Sequence, residues 1–184
     1  METTKFEIAK TQSNVEWIGR KVTGAHNGTI EVKEGAFFVT DGQLTGGKVV
    51  IDTASIKILD IADPATNAQF AGHLASDDFF SIEKFPTSTF DITTVKQLAD
   101  NFYHLEGDLT IKGITHTAAL DATVESSDDS FRLTGKLLVD RTKYGIKFRS
   151  GNFFKDLGDT LIYNDFELNV TVTAKVASPE FSKN

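Results

Sequence analysis

The sequence predicts an all-β fold, an extended eight-stranded antiparallel β-barrel with one or two short helices in its inserts. Three observations predict it. Apolar and polar residues alternate with period two along most of the chain. The last alternating run is unusually long. Two irregular inserts interrupt the pattern, and each holds a Phe pair.

The alternation is clearest in two places. Tyr103, Leu105, Gly107, Leu109 and Ile111 alternate with His104, Glu106, Asp108, Thr110 and Lys112. Ile162, Phe166, Leu168, Val170, Val172, Ala174 and Val176 alternate with Tyr163, Asp165, Glu167, Asn169, Thr171, Thr173 and Lys175. Each run reads as a half-buried antiparallel strand. Six further segments share the pattern: Val15 and Trp17 with Gly19 beyond, Ile30 with Val32, Val49 with Ile51, Phe90 with Ile92, Ala118 to Val124, and Phe131 to Val139. Asn27-Gly28 and Asp41-Gly42 read as tight turns. Eight strands with one apolar face each must bury it, in a two-sheet sandwich or in a closed barrel. The final run, about 15 residues at roughly 3.4 Å each, is long for a sandwich and favours the barrel.

The first insert runs from about Ile56 to Ser88 and the second from about Asp140 to Thr160. In the first, Asp63 is placed to cap a helix that starts at Pro64 and stops near Gly72: an acceptor side chain, then a fixed φ, then a permissive one. The pairs Phe79-Phe80 and Phe153-Phe154 lie in these inserts. Exposing such rings to water is unfavourable, so the inserts read as lids or plugs on the barrel.

Composition narrows the class. The 184 residues suit one domain spanning 1–184. A net charge of −7 speaks against general nucleic-acid binding, which needs a basic footprint. There is no Cys, which excludes disulfides, Cys-ligated zinc and thiol nucleophiles. No apolar run approaches a membrane span. The segment METTKFEIAK has neither an apolar core nor a small-residue cleavage site and reads as lacking a signal peptide. Localisation stays open: cytoplasmic if this is the full chain, periplasmic or secreted if a leader was removed.

No motif carries obvious chemistry. His73, Asp77 and Asp78 lack the spacing of a metal site, and Ser76, Asp77 and Asp78 suit capping of a short turn. No Gly-x-Ser-x-Gly elbow is present, and no carboxylate pair falls on an apolar face. His104 and His116 read as surface residues. The inward faces carry small residues (Gly19, Gly107, Ala118, Ala122, Gly135, Ala174) that would leave volume inside, though glycines at bends in a fully packed barrel fit the pattern equally. A barrel of eight strands holds side chains or one small ligand. One charge feature stands out in this acidic chain: Arg141, Lys143, Lys147, Arg149 and Lys155 form a basic run, offset by Asp140 and Asp156.

Five motifs in order resemble one known family, the YceI-like proteins. They are WIGRKVTGAHNGTI (Trp17–Ile30), LTGGKVVIDTASI (Leu44–Ile56), GHLASDDFFSIEKFPTSTF (Gly72–Phe90), GDLTIKGITH (Gly107–His116) and VDRTKYGI (Val139–Ile146). The third is the most specific. The resemblance implies a lipocalin-like barrel that binds a long-chain isoprenoid lipid, such as an isoprenoid quinone or polyprenyl derivative, in an apolar tunnel. It implies a possible homodimer, no catalytic residues and no required cofactor beyond the bound lipid. Phe79, Phe80, Phe85 and Phe90 would then line or close the tunnel. Trp17, Leu109, Ile111, Phe166 and Leu168 would contact the chain. Tyr144, Ile146, Phe153 and Phe154 would belong to the mouth, with His26, Arg141 and Arg149 near the head group. The expected function is non-catalytic transport or storage. Two alternatives stand beside it: an enzyme acting on a lipophilic quinone or prenyl substrate, and a stress-related interaction protein with a structural lipid.

Overall fold

The computed structural model describes residues 2–151, 153–155, 157–158 and 161–177; Asp156 lies outside them. Its strands are β1 (Thr3–Ile8), β2 (Asn14–Lys21), β3 (Gly24–Thr40), β4 (Gln43–Ile58), β5 (Thr87–Ala99), β6 (Phe102–Ile111), β7 (Ile114–Ser126), β8 (Ser130–Asp140) and β9 (Ile162–Val176). One helix, α1 (Pro64–Ala75), lies between β4 and β5. From β2 to β9 each strand pairs antiparallel with the next, and β9 returns to pair with β2. The sheet is therefore a closed, eight-staved meander.

The ninth strand does not add a stave. β1 pairs with the far half of β3 (Phe6 opposite Phe37) and the far end of β9 (Ile8 opposite Ala174). β2 pairs with the other halves of the same two strands. One turn of 3-10 helix, Lys10–Gln12, joins them. Ser13 heals the break: its hydroxyl donates to Ala9 O at 2.9 Å and accepts from Thr173 N–H at 3.1 Å. β1 and β2 are thus one interrupted stave, and β1 is absent from the sequence-based expectation.

Two local expectations need correction. Asp41-Gly42 does turn the chain, with φ of 54° and 78°. Asn27-Gly28, in contrast, lies inside β3, and the hairpin from β2 turns at Val22-Thr23. Gly28 is required by close approach. A Cβ there would collide with Lys57 O and come within 2.7 Å of the Trp17 ring. The helix also runs past Gly72 to Ala75. Leu74, buried against Trp17 and Ile58, holds its last turn to the barrel. The start is as expected: Asp63 accepts from Thr66 N–H at 3.0 Å with Pro64 in the first turn.

The two ends of the barrel differ. At the end that holds β1, Phe6, Phe37 and Phe131 are each 1% exposed, with ring centroids 4.5 Å (Phe37–Phe131) and 5.8 Å (Phe6–Phe131) apart. This end is packed shut. At the other end the inserts after β4 and β8 fold over the opening and meet where His73 sets its ring edge against Phe148, 4.7 Å between centroids.

Phe131→Ala is expected to cost about 3–5 kcal/mol, a large part of a typical total of about 5–15, seen as a lower denaturation midpoint at unchanged slope. Gly28→Ala should cost about 1–3 kcal/mol by overpacking and shift Trp17 emission, because the indole must move; an unshifted spectrum would place the ring elsewhere.

Candidate functional site

Between the two ends lies an internal cavity of about 450 Å³, within the roughly 300–1,000 Å³ span of small-molecule sites. Along β9 its wall runs through Val172, Val170, Leu168 and Phe166 to Ile162, about 30 Å of strand at roughly 3.3 Å per residue. It is long, narrow and apolar. Phe37 lies at its floor, and Leu105, Leu120 and Leu133 line the wall above.

Most of the expected site residues line this cavity: Trp17, Phe90, Leu109, Ile111, Phe166 and Leu168 on the strands, Phe79 and Phe80 from the first insert, Ile146 from the second, and His26 and Arg141 near the opening. Backbone bonds set the Phe pair in place. Phe79 N–H donates to Ser76 O and Phe80 N–H to Leu74 O, both at 3.0 Å, folding the turn back under α1. Asp77 and Asp78 shape this insert. Asp77 accepts from Ser81 Oγ at 2.6 Å, and Asp78 lies 3.1 Å from His73 Nε2.

Four expected residues lie off the cavity. Phe85 packs against Gly113, on the turn between β6 and β7. Tyr144 is buried in the main core but does not line the cavity; its ring meets that of His116 at 5.4 Å between centroids. Phe153 and Phe154 are 50% and 46% exposed; their N–H groups both bond Ser150 O, and the rings face outward. Phe148 takes the lid position instead. The small inward residues also divide. Only Gly19 opens onto the cavity, with nothing within 4 Å of a Cβ placed there. The Phe90 ring covers Gly107 and Leu120 covers Gly135, while Ala122 and Ala174 are packed into the closed end.

Polar groups gather at the opening. Arg141 is 4% exposed. Its guanidinium donates to Ile146 O at 2.8 Å and to Tyr163 O and Ile162 O at 3.0 Å. It ties the second insert to the start of β9, and burial lowers its pKa against the opposing pull of Asp140. His26 Nδ1 lies 2.8 Å from Asp60 Oδ2, with Phe70 edge-on to the imidazole at 4.8 Å. Burial alone would raise the Asp60 pKa, but the His26 and Asn27 hydrogen bonds outweigh it and hold the carboxyl below its ordinary 3.8. Arg149 stands exposed at the rim, its guanidinium 4.9 Å from the centre of the Phe148 ring.

Sequence reasoning missed Phe70, Leu74 and Phe148, which roof the cavity, and Thr53, which lines it. The helical spacing of Phe70 and Leu74 was the available signal for the first two. Thr53 is 3% exposed, and its hydroxyl has no hydrogen-bond partner among the described residues.

Thr53→Val should therefore stabilise the protein by about 1 kcal/mol, the cost of an unsatisfied buried hydroxyl, read from the denaturation midpoint. A lower midpoint would mean that the hydroxyl is satisfied. The Asp60 pair has a testable pH sign. A carboxyl whose folded pKa is depressed adds stability above its unfolded value, near pH 3.8, and loses it as pH falls through the folded value. The difference in Tm between the wild type and Asp60→Asn should be larger near about pH 5 than at about pH 2–3, shrinking as the Asp60 carboxyl is protonated.

Comparison with known proteins agrees with this architecture. Residues 6–174 match the YceI-like domain. A UPF0312 protein of Photorhabdus laumondii is 32% identical over 139 residues, and the YceI protein of Escherichia coli O157:H7 is 31% identical over 134. Each alignment takes in 71% of this chain and 65% of the relative, so the match spans a little under two thirds of these relatives' length. Among solved structures, Burkholderia cenocepacia BcnA superposes with a TM-score of 0.67 at 20% identity, covering 89% of this chain and 97% of that one. A polyisoprenoid binding domain from Saccharophagus degradans, implicated in plant cell wall breakdown, gives 0.65 at 13% identity, covering 94% and 98%. At such identities the likeness is one of fold. The family match covers nearly the whole barrel, and the chain belongs to the YceI-like domain family.

Proposed function

We propose that this protein binds a long apolar lipid of isoprenoid type, an isoprenoid quinone or polyprenyl derivative, inside its barrel, and carries or stores it without chemical change. The observation that carries this reading is the cavity itself: narrow, about 450 Å³, apolar along its length, with its polar groups at the opening. Such a space selects an apolar chain, because a polar ligand atom placed deep inside would lose water and gain no partner. The shared fold with the Saccharophagus polyisoprenoid binding domain supports the same reading.

On this reading Trp17, Phe79, Phe80, Leu109, Phe166 and Leu168 hold the chain. His26 and Arg149 lie at the end where a head group would rest. Each isoprenoid unit buried would contribute a few kcal/mol before ordering costs, at about 0.8 per CH₂-sized group.

Solvent extraction of the purified protein followed by mass spectrometry should release a stoichiometric prenyl lipid. Trp17 is the single tryptophan and lines the cavity, so its fluorescence reports occupancy directly. Affinity should rise with chain length in a prenyl series and level off once the cavity is full; equal affinity for short and long chains would sink the proposal. Leu109→Glu should abolish uptake, because Leu109 is 6% exposed and the new carboxylate would face the chain. A folded variant that binds normally would remove Leu109 from the site.

One observation favours a second reading. The His26–Asp60 pair at the opening has the form of an oriented base, as an enzyme acting on a lipophilic substrate would need. Among the described residues no hydroxyl lies within hydrogen-bond reach of His26 Nε2 that could serve as a nucleophile. Turnover of quinone or prenyl substrates that disappears in His26→Ala would establish the enzyme.

A further inference from the structure

Both ends of the barrel expose large apolar side chains, but their charge differs. At the cavity mouth these are Val22, Leu59, Phe153, Phe154 and Tyr163, each between 46% and 59% exposed. Backbone bonds fix them on one rim. Val22 N–H donates to Leu161 O at 3.2 Å and Leu59 N–H to Asn27 O at 2.9 Å. Phe153 and Phe154 follow Ser150, whose hydroxyl donates to Asn164 on β9 at 2.6 Å. Tyr163 itself lines the cavity.

Cations stand beside these rings. The segment 141–161 holds five Lys and Arg against two Asp in a chain of net charge −7. Lys147 sets its ammonium 4.8 Å from the centre of the Phe153 ring. Among the described residues, Lys143, Lys147, Arg149 and Lys155 have no carboxylate within ion-pair distance. Several acids also lie at this end. Asp60 and Asp78 are bonded to His26 and His73, Asp77 to Ser81 and Lys84, and Asp140 to Thr142. Glu83 is exposed, and Asp165 lines the cavity. The opposite end exposes Phe38, Leu98, Phe102 and Val176, but its turns carry exposed Asp41, Asp100, Asp128 and Asp129. Lys5, Arg132 and Lys175 stand exposed on the strands of this end, but its turns at 41–42, 100–101 and 127–129 carry no cation to meet an anionic surface.

We propose that the mouth end docks on an anionic lipid bilayer, the exposed rings entering the headgroup region while the second-insert cations meet lipid phosphates. An apolar rim flanked by basic side chains is the pattern of interfacial membrane binding, in which area and charge act together. Charge complementarity selects this end, and the cavity opening lies within it. The inference rests on the lipid-binding reading of that cavity, since docking would let an apolar chain pass between bilayer and barrel without crossing water.

The test is cosedimentation of the full chain with phosphatidylcholine vesicles, with and without about 30% phosphatidylglycerol, at low and high salt. Binding is expected to the anionic vesicles and to weaken with salt, since the Debye length falls from about 10 Å at 0.1 M to about 3 Å at 1 M. Phe153→Ser with Phe154→Ser, and separately Lys147→Glu with Lys155→Glu, should each lower vesicle affinity by about tenfold or more. None of these four residues lines the cavity, so Trp17-detected uptake of a short prenyl alcohol in vesicle-free solution should be unchanged. Absence of vesicle binding, or wild-type vesicle affinity in both variants, would overturn the proposal. So would vesicle-independent capture of an acidic protein by the same cations. Uptake without docking would leave the lipid-binding reading intact; docking without uptake would overturn that reading alone.

Discussion

The ring stack of Phe6, Phe37 and Phe131 is the contact on which the rest of the molecule depends. A barrel that keeps part of its interior open forfeits packing there, since a void has no partner atoms for the side chains that line it. The deficit must be met elsewhere. At the closed end the three rings are each 1% exposed, and burying such a side chain contributes about 1.5–3 kcal/mol. Tyr103, Leu105, Ala122 and Ala174 complete that packing with almost no exposed area. Small residues here do not leave space, because they receive their neighbours' side chains. The same fold thus has a solid half that stabilises it and a hollow half that is free to serve function.

The stack also accounts for the interrupted first stave. Phe6 reaches its place only if β1 sits between β3 and β9 beyond the end of β2. The break at Lys10–Gln12 resets the chain between the two halves, and Ser13 satisfies the backbone groups that the break frees. In the sequence the alternation of Lys5, Phe6, Glu7 and Ile8 is too short to stand out, although the β1 signal is present.

How much was legible follows from whether side-chain parity holds along a strand. In β6, β7, β8 and β9 the inward set keeps one parity from end to end, and period-two reading finds them. β3 does not. Ile30 and Val32 point inward at even positions, the register shifts between Val32 and Glu34, and Phe37 and Val39 then point inward at odd ones. A bulge reverses the faces, so one 17-residue strand reads as a short segment with an unassigned tail. β4 skips residues against β3 between Asp52 and Lys57 and between Leu44 and Gly46, while its pairing with β5 stays regular. The sequence signature Asn27-Gly28 misleads for a related reason. A glycine needed because the Trp17 ring and Lys57 backbone press on it looks the same as one needed for a turn.

The candidate site shows the same limit at the level of single rings. Phe79-Phe80 and Phe153-Phe154 are the same dipeptide, each in an insert, and nothing in composition separates them. Their backbones do. The first pair bonds back to Leu74 and Ser76 under α1 and so turns its rings into the barrel; the second bonds to Ser150 and faces water. Once Phe148 fills the lid position, the later pair has no interior left to enter. A similar sorting applies to the basic run. The carbonyls of Ile146, Ile162 and Tyr163 at the opening need donors, and Arg141 supplies all of them. That use buries one cation as structure and leaves Lys147 and Arg149 at the rim. The charged side chains of this end therefore gather at the opening, with the apolar wall below them. An amphiphile meeting such a barrel is oriented before any specific contact forms: only its apolar end can enter without losing hydrogen bonds, and only the rim offers its polar end a partner.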